Sequence, residues 1–256
     1  MKIRILGAHK IETKETRCTC LLIDDILAID AGALTSRLSL KAQQRLKALL
    51  LTHRHYDHIK DIPALGMNFF LLGKTLEIYT IRSVYEALSR YLLDGVLYPD
   101  FRKEPPGKPA LKFNFVAPGR EVTIEGYKVL PVKVNHAAPT VGFQVTSSSG
   151  QKLFYTSDTG PGLAECWRQV SPDLLIIEVT YTNGCYDLAM KAGHLTPSML
   201  RKELESFRRI KGYLPRIVTV HADPLEEKVL AAEIAGVAGA LKTEIQPGRE
   251  GMRIEL

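Results

Sequence analysis

Short apolar runs recur along the chain, and between several of them the apolar residues adopt helical spacing, so the pattern predicts short strands interleaved with helices. Strands are predicted at 3–6, 19–23, 26–29, 48–51, 76–79, 112–116, 121–124, 127–134, 141–146, 153–155, 174–179 and 216–220. Helices are predicted at 38–46, 62–72, 83–93 and 225–240. Thr196 is expected to cap a further helix whose first residue is Pro197.

Three stretches refine this picture. The strands between 112 and 155 follow one another closely, which predicts a meander that forms one half of a β-sandwich. In the helix at 83–93, Val84, Leu88, Tyr91 and Leu92 are predicted to face inward. Residues 94–110 contain four prolines and are predicted to form a loop or lid, whose basic residues would contact an anionic substrate.

Composition places the chain among ordinary globular proteins. It has 256 residues, of which 45% are hydrophobic and 24% charged, enough for one large domain or two small ones. The net charge of +6 makes an anionic partner plausible without identifying nucleic acid. The basic residues between 201 and 216 are interpreted as a solvated helix face. Neither a signal-peptide core nor a run of about 18 apolar residues is present, so we expect a cytoplasmic protein without a membrane span.

The cysteines and the first histidine are not assigned chemistry. Cys18 and Cys20 are too closely spaced for a disulfide and lack the usual Cys-x-x-Cys spacing, so all four cysteines are interpreted as small, mostly buried hydrophobes. His9 is interpreted as a surface-loop residue rather than a metal ligand.

The segment after the strand at 48–51 is the strongest chemical signal. His53, His55, Asp57 and His58 lie within six positions, and three of the seven histidines are found here. In a loop that leaves a strand, His53 and His55 can turn toward one ion while Asp57 and His58 turn toward a second. Such ligands suit zinc, iron or manganese. The alternative is a polar loop that is rich in histidine.

Three further acids end predicted strands. Asp158 follows the strand at 153–155 and precedes Gly160, as a carboxylate that bridges two ions would require, although a helix cap or turn would also explain it. Asp30 is expected either to hold a ligand histidine in one tautomer or to satisfy a local turn. Glu178, near the end of the strand at 174–179, is expected to support a histidine.

The His53-x-His55-x-Asp57-His58 pattern resembles the signature of metallo-β-lactamase-fold hydrolases. The resemblance implies an α/β (α+β) fold, a four-layer αββα sandwich that forms a single domain over 1–256. It implies two divalent metal ions, with zinc first and manganese or iron as alternatives. The first ion would be held by His53, His55 and His136, the second by Asp57, His58 and His221, with Asp158 between them. Asp61 departs from the glycine usual at its position, which leaves the following turn uncertain.

A second resemblance concerns the reaction. Gly193-His194-Leu195-Thr196 is similar to a motif of tRNA 3′-processing endonucleases and class II cyclic-nucleotide phosphodiesterases. It implies a phosphodiesterase in which His194 and Asp57 are catalytic, acting on a small phosphodiester such as a cyclic nucleotide. Residues 98–101, Tyr-Pro-Asp-Phe, resemble a segment of the cyclic-nucleotide enzymes. The alternatives are a tRNA 3′-end-processing endoribonuclease and a non-catalytic metal-binding module, and a homo-oligomer stays open.

Overall fold

Two mixed sheets face each other in the computed structural model, which describes residues 1–256. Each sheet has seven strands, in the orders β14-β1-β2-β3-β4-β5-β6 and β13-β12-β11-β10-β9-β8-β7. The strands are β1 Lys2–Gly7, β2 Cys20–Ile23, β3 Leu27–Ile29, β4 Ala48–Leu51, β5 Leu76–Thr80, β6 Leu111–Phe115, β7 Val122–Ile124, β8 Tyr127–Lys133, β9 Val141–Thr146, β10 Lys152–Tyr155, β11 Leu174–Glu178, β12 Arg216–Val220, β13 Ile245–Pro247 and β14 Arg253–Glu255.

Nine α-helices cover the outer faces of the sheets. They are α1 Leu34–Arg37, α2 Leu40–Gln43, α3 Tyr56–Ile59, α4 Ile62–Leu71, α5 Arg82–Tyr91, α6 Ala164–Gln169, α7 Tyr186–Ala192, α8 Pro197–Lys211 and α9 Glu227–Leu241. In the first sheet β3, β4, β5 and β6 are parallel. In the second sheet β10, β11, β12 and β13 are parallel, and β7, β8, β9 and β10 form an antiparallel meander.

The alternation of side chains along the central strands builds the layers. In β4, Ala48 and Leu50 pack between the sheets, whereas Leu49 and Leu51 pack under the first set of helices. In β11, Leu174 and Ile176 pack between the sheets, whereas Leu175 and Ile177 pack under the second set of helices. Because both faces of these strands are covered, the strands read as continuous apolar runs. The predicted four-layer αββα sandwich is confirmed.

Three local predictions are wrong. The strand predicted at 112–116 is β6, which does not join the following meander but lies parallel to β5 at the edge of the other sheet. Of the helix predicted at 38–46 only α2, Leu40–Gln43, is formed; a separate short helix, α1, ends at Arg37, and the backbone at Leu38 between them is extended. Tyr91, predicted to face inward, is 62% exposed at the end of α5, whereas Val84 and Leu88 are buried as predicted.

The segment 94–110 contains no helix or strand, as predicted, but its second half lies far from the strand ends that carry the histidines. The carbonyl groups of Pro109 and Ala110 pair with residues that begin β5, at the opposite end of the parallel strands from the loop that follows β4. Phe101 is buried under the helices. Arg102, which was expected to contact an anionic substrate, is paired with Asp100.

His9 is buried rather than exposed, contrary to the prediction. Its Nδ1 atom lies 2.7 Å from Glu250 Oε1, which also accepts hydrogen bonds from the amides of Ala8 and Arg17. The hydrogen bond between His9 and Glu250 connects the loop after β1 to the C-terminal segment. Three of the four cysteines are buried as expected, Cys185 is partly exposed, and none forms a disulfide. No helix combines the length and apolar character needed to cross a membrane.

Candidate metal centre

All but one of the predicted site residues lie at or shortly after the C-terminal end of a strand, and the exception, His194, lies in the loop between α7 and α8. Asp30 follows β3 and the histidine-rich loop follows β4, at one end of the first sheet. His136, Asp158, Glu178 and His221 lie at or beyond the ends of β8, β10, β11 and β12. These four strands run in the same direction, because β9 is antiparallel to both β8 and β10. The two sheets therefore deliver their polar residues to one shared cleft.

The loop after β4 is held by a close backbone contact with the turn after β3. The amide of Ala31 donates to the carbonyl of His58 at 2.7 Å. At Gly32 a Cβ atom would lie 2.4 Å from the carbonyl oxygen of Asp57, so only glycine fits there. This contact places the short helix α3, and with it His58, against the strand that ends at Asp30.

The first group of potential ligands consists of His53, His55, His136 and Asp158. His55 Nδ1 lies 3.2 Å from His136 Nε2. Asp158 Oδ2 lies 3.6 Å from His53 Nε2 and 4.0 Å from His136 Nε2. These three histidines and the aspartate were predicted to hold one ion, and the structure brings all four together.

The second group consists of Asp57, His58, Asp158 and His221. His58 Nε2 lies 3.3 Å from Asp57 Oδ2 and 3.2 Å from Asp158 Oδ1. His221 Nε2 lies 3.1 Å from Asp57 Oδ2 and 3.4 Å from Asp158 Oδ2. Asp158 thus belongs to both groups, with both of its oxygens directed at histidine nitrogens.

Three buried atoms show that these groups fit metal ions. His53 Nε2, His58 Nε2 and Asp158 Oδ1 are buried and have no hydrogen-bond partner. An unpaired buried polar atom costs about 1–3 kcal/mol, so three in one cluster favour a bound ligand. Nitrogen ligands about 2.0–2.1 Å from a tetrahedral ion lie roughly 3.3 Å apart, which is close to most of the spacings in the cluster. A divalent ion liganded by nitrogen and oxygen satisfies all three atoms.

The hydrogen bonds of the histidines assign their tautomers. The Nδ1 atom of His58 lies 2.7 Å from Asp30 Oδ2, that of His136 lies 2.8 Å from the carbonyl oxygen of Gly193, and that of His221 lies 2.8 Å from Thr180 Oγ1. If Nδ1 carries the proton, Nε2 presents its lone pair to the cluster. His55 differs, since its Nδ1 atom faces the cluster.

Asp30 holds the loop after β4 through several contacts. It is fully buried, and besides His58 it accepts hydrogen bonds from the amide and hydroxyl of Thr52, both at 2.9 Å. Thr52 Oγ1 in turn lies 3.1 Å from His53 Nδ1. Asp30 therefore contacts one potential ligand directly and a second through Thr52, which agrees with the expectation that it fixes a histidine tautomer.

Glu178 has the corresponding place in the second sheet. It is fully buried, and its Oε1 atom lies 2.7 Å from His194 Nδ1. Burial lowers the pKa of His194, but the adjacent Glu178 carboxylate outweighs burial and raises this pKa to about 9. The His194 ring stacks on the His221 ring at 5.3 Å. Glu178 thus favours the protonated form of His194, which lies beside the second group of potential ligands and, with Glu178 and His221, forms a third such group.

The residues after His194 are organised as predicted. Thr196 caps α8 by accepting from the amide of Met199, and Pro197 is the first residue of the helix. Gly193 adopts a left-handed conformation, and a Cβ atom there would lie 2.9 Å from the amide nitrogen of Ala137. Glycine is therefore required for the carbonyl group of residue 193 to reach His136.

Charge within the cluster shifts the pKa values of its members in opposite directions. Burial raises the pKa of the Asp158 carboxyl, but the electrostatic effect of the adjacent His221 and His58 imidazoles more than compensates and holds it well below its usual value. Burial also lowers the pKa of His53 well below its usual value, with a further contribution from His58. For Asp57, the charge of His58 and the hydrogen bond of His221 outweigh burial and lower the pKa. The carboxylates of Asp57 and Asp158 are therefore ionised, and His53 is neutral, as a ligand must be. Burial lowers the pKa of His58, but the surrounding aspartates outweigh burial and raise it well above its usual value, so His58 would release a proton on binding an ion.

Strained backbone accompanies the site. Asp30, Ser157 and His221 have φ angles of 61°, 60° and 64°, in the left-handed region that residues other than glycine seldom adopt. Each lies at a strand end within or next to the cluster. Such strain persists only where surrounding contacts enforce it, and it is concentrated at functional sites.

The sequence patterns missed Thr52, Thr180 and Ser157. Ser157 Oγ donates to Thr52 Oγ1 at 2.7 Å and lies 3.3 Å from His53 Nδ1. All three hydroxyl groups are buried among the polar side chains of the site. The available signal was their position, because each follows a buried strand and lies within two residues of a predicted site residue.

Comparison with known proteins identifies the family. A family described as "Beta-lactamase superfamily domain" matches residues 21–222. A probable 3′,5′-cyclic-nucleotide phosphodiesterase of Yersinia pestis is 22% identical over 192 residues, which is 66% of this chain and 53% of that protein. A ribonuclease Z of Pyrobaculum calidifontis is 24% identical over 221 residues, 74% of each protein.

The structure of unliganded yeast PDE1 superposes with a TM-score of 0.84 at 18% identity, and covers 100% of this chain and 99% of that one. The chain spans about half or less of the length of the first curated relatives that it matches. At such low identity the likeness to the solved structure shows the fold alone. The family match nevertheless covers most of the chain, and together with the histidine and aspartate cluster it supports divalent-metal binding. The chain belongs to the beta-lactamase superfamily and has the metallo-β-lactamase fold.

Proposed function

We propose that this protein is a hydrolase that uses two divalent metal ions, zinc first among them, to cleave a phosphodiester. His53, His55 and His136 would hold one ion, Asp57, His58 and His221 the other, and Asp158 would bridge them. The distances between these side chains support the assignment, since each group contains both nitrogen and oxygen donors.

Charge balance supports two ions rather than one. The site contains four ionisable carboxylates, Asp30, Asp57, Asp158 and Glu178, and every salt bridge they make is to a histidine. No lysine or arginine lies within 4.0 Å of them. Buried charges must be paired, and Glu178 is paired with the imidazolium of His194. One divalent ion would leave one negative charge uncompensated among Asp30, Asp57 and Asp158, whereas a second ion would compensate it.

The pair formed by His194 and Glu178 carries the proposal that the substrate is a phosphodiester. An imidazolium group adjacent to the ligand cluster suits a reaction in which negative charge develops on a departing oxygen. Glu178 Oε1 holds Nδ1 of His194 at 2.7 Å, so the Nε2 proton is available for donation to that oxygen. The bound ions would supply Lewis-acid stabilisation of the phosphoryl group and a nucleophilic water near neutral pH.

A small phosphodiester such as a cyclic nucleotide fits the chain better than tRNA. Between His136 and Asp158 the chain forms only β9, β10 and their turn. The tRNA endonucleases that this chain resembles, where they carry a substrate-grasping arm, insert it between the matching positions, and these elements leave no room for one. The Yersinia pestis relative is named a cyclic-nucleotide phosphodiesterase. The relative named ribonuclease Z supports the second candidate, tRNA 3′-end processing.

Replacement of His194 by alanine tests the catalytic assignment. Loss of a general acid lowers turnover by about 10²–10⁴-fold, and both metal ions should remain bound because His194 is not among the proposed ligands. Metal content by mass spectrometry and hydrolysis of a chromogenic phosphodiester would be measured on the same preparation. His9→Ala is the matched control, because His9 and Glu250 form a buried histidine–glutamate pair at the same 2.7 Å distance outside the site.

Two outcomes would contradict the assignment. If His194→Ala loses a metal ion, then His194 is a ligand, and if it hydrolyses the diester as fast as His9→Ala, then His194 has no catalytic role. A panel of cyclic nucleotides, other cyclic phosphodiesters and precursor tRNA, offered to the metal-loaded protein, would decide the substrate class. A protein that binds metal but hydrolyses no diester would support the non-catalytic alternative.

A further inference from the structure

One hydroxyl group joins the two histidines that flank the second metal position. Thr180 Oγ1 lies 2.8 Å from Glu178 Oε2, 2.8 Å from His221 Nδ1 and 3.3 Å from His194 Nδ1. Thr180 lies two residues beyond the end of β11 and is fully buried. Its hydroxyl thus lies between a proposed metal ligand, the proposed general acid and the carboxylate that orients that acid.

The donors around Glu178 decide the direction of these hydrogen bonds. Its Oε1 atom accepts from His194 Nδ1 and from the amide of Thr159, and Oε2 accepts from the amide of Leu195. An ionised carboxylate only accepts, so the single hydroxyl proton of Thr180 is directed at Oε2. The hydroxyl oxygen then has only lone pairs to offer His221, whose Nδ1 atom must donate.

This direction has a consequence for metal binding. With the proton on Nδ1, His221 presents the lone pair of Nε2 to Asp57, Asp158 and the ion between them. The same hydroxyl donates its hydrogen bond to Oε2 of Glu178, so His194 Nδ1 donates to the other oxygen, Oε1. One side chain therefore sets the tautomer of His221 and the position of His194 together.

We propose that Thr180 is a positioning residue that couples metal binding at His221 to the orientation of His194, a role that rests on the proposed function of the site. Thr180 touches neither substrate nor metal in this assignment and acts only through its hydroxyl. A role in packing alone predicts a different outcome, because valine has nearly the same shape and would satisfy it.

The substitutions Thr180→Val and Thr180→Ser separate these possibilities. Valine keeps the shape and removes the hydroxyl, whereas serine keeps the hydroxyl and removes the methyl group. Thr219→Val is the matched control, since Thr219 is buried in β12 and its hydroxyl makes no hydrogen bond to another group of the protein. Thr180→Ala replaces Thr180→Val if the valine variant does not fold.

Metal retention and the NMR resonances of the histidines can be measured without any substrate. Loss of a group that orients a ligand lowers metal affinity about 10–100-fold, so Thr180→Val should release one ion to a competing chelator at lower chelator concentration. In proton NMR of the metal-loaded protein, the Nδ1–H resonances of His221 and His194 should both shift or broaden. Thr180→Ser and Thr219→Val should resemble the wild type in both measurements.

Kinetics test the coupling to the reaction. With saturating metal, Thr180→Val should lower kcat about 10–100-fold with little change in KM, because His194 acts in the transition state rather than in binding. Equal metal affinity and kcat in Thr180→Val and Thr219→Val would overturn the proposal, and so would a serine variant as impaired as the valine variant. A wild-type protein that hydrolyses no diester would refute the proposed function, while the metal and NMR measurements would still decide the role of Thr180.

Discussion

Replacement of Asp30 by asparagine is the sharpest test of how the fold prepares the metal centre. Asp30 is fully buried and receives only donors: His58 Nδ1 at 2.7 Å and Tyr155 Oη at 3.3 Å on Oδ2, and the amide and hydroxyl of Thr52 on Oδ1. Asparagine has nearly the same shape, but its amide group must point two hydrogens at one of these donors. No side-chain rotation avoids the conflict.

Each orientation of the amide has a calculable cost. If the amide faces Thr52, a backbone donor loses its acceptor, which costs about 1–3 kcal/mol of folding free energy. If it faces His58, the imidazole avoids the clash by moving its proton to Nε2, the atom that faces Asp57 and Asp158. Changes of this kind around a metal cost about 10–100-fold in affinity, which corresponds to about 1.4–2.7 kcal/mol.

Competition with a chromophoric chelator would measure the metal affinity, and urea unfolding of the chelator-treated protein would measure the stability. Asp61→Asn is the matched control, because Asp61 is also buried and accepts from the amide of Thr35 at 2.8 Å but contacts no histidine. Both variants should lose some stability, and only Asp30→Asn should lose metal affinity. If the two variants bind metal equally well, the role assigned to Asp30 is wrong.

Two further predictions concern metal removal and pH. Chelation should lower the free energy of unfolding by about 2.7 kcal/mol for each ion removed, relative to protein at a free metal concentration of 100 Kd, because only the native cluster binds the ions. An unchanged urea midpoint would contradict the site. Burial lowers the pKa of His9, but its pairing with Glu250 outweighs burial and raises this pKa. Burial raises the pKa of Glu250, but the same pairing outweighs burial and lowers it. The stability lost in Glu250→Gln should therefore be greatest between about pH 4.5 and 6.5, where both groups are charged in the unfolded and the native protein. This loss should shrink as the pH rises through the raised pKa of His9 or falls through the lowered pKa of Glu250, and a loss that is constant from pH 5.5 to 8.5 in urea titrations would refute the pairing.

The predictions of strands succeeded where one short run of residues determined the element. The strands at 141–146 and 216–220 have the predicted bounds, because strongly apolar runs end at clear turn or polar residues. The sheet to which a strand belongs depends on contacts between distant residues, and the error at β6 arose there. Its neighbour in sequence is β7, but its hydrogen-bonding partner is β5, across the loop 94–110.

The error at His9 has the same origin. Nothing near it in sequence indicates burial, because its partner Glu250 lies 241 residues away in the chain. The clustering of the predicted ligands was easier to predict, since the spacing of histidines and aspartates after strands carries chemical information in single short segments, and the structure brings these residues together. Thr52 and Thr180 were missed because a threonine beside a strand is common, and only the distances to Asp30 and Glu178 distinguish these two.

The two sheets approach the metal centre with the same arrangement of an acid and a threonine. In the first sheet Asp30 contacts one histidine directly, at 2.7 Å from His58, and a second through the hydroxyl of Thr52, which lies 3.1 Å from His53. In the second sheet Glu178 contacts His194 at 2.7 Å, and the hydroxyl of Thr180 lies 2.8 Å from His221.

The arrangements differ in what the directly bound histidine does. His58 contributes to the ligand cluster, with its Nε2 atom 3.2 Å from Asp158, whereas no atom of His194 belongs to either group that contains Asp158. A buried carboxylate that binds a ligand histidine shares the charge of a metal ion. One that binds a histidine outside that set instead stabilises a proton on the imidazole. In the proposed function, the same local chemistry at two strand ends would therefore provide a metal ligand in one sheet and a proton donor in the other.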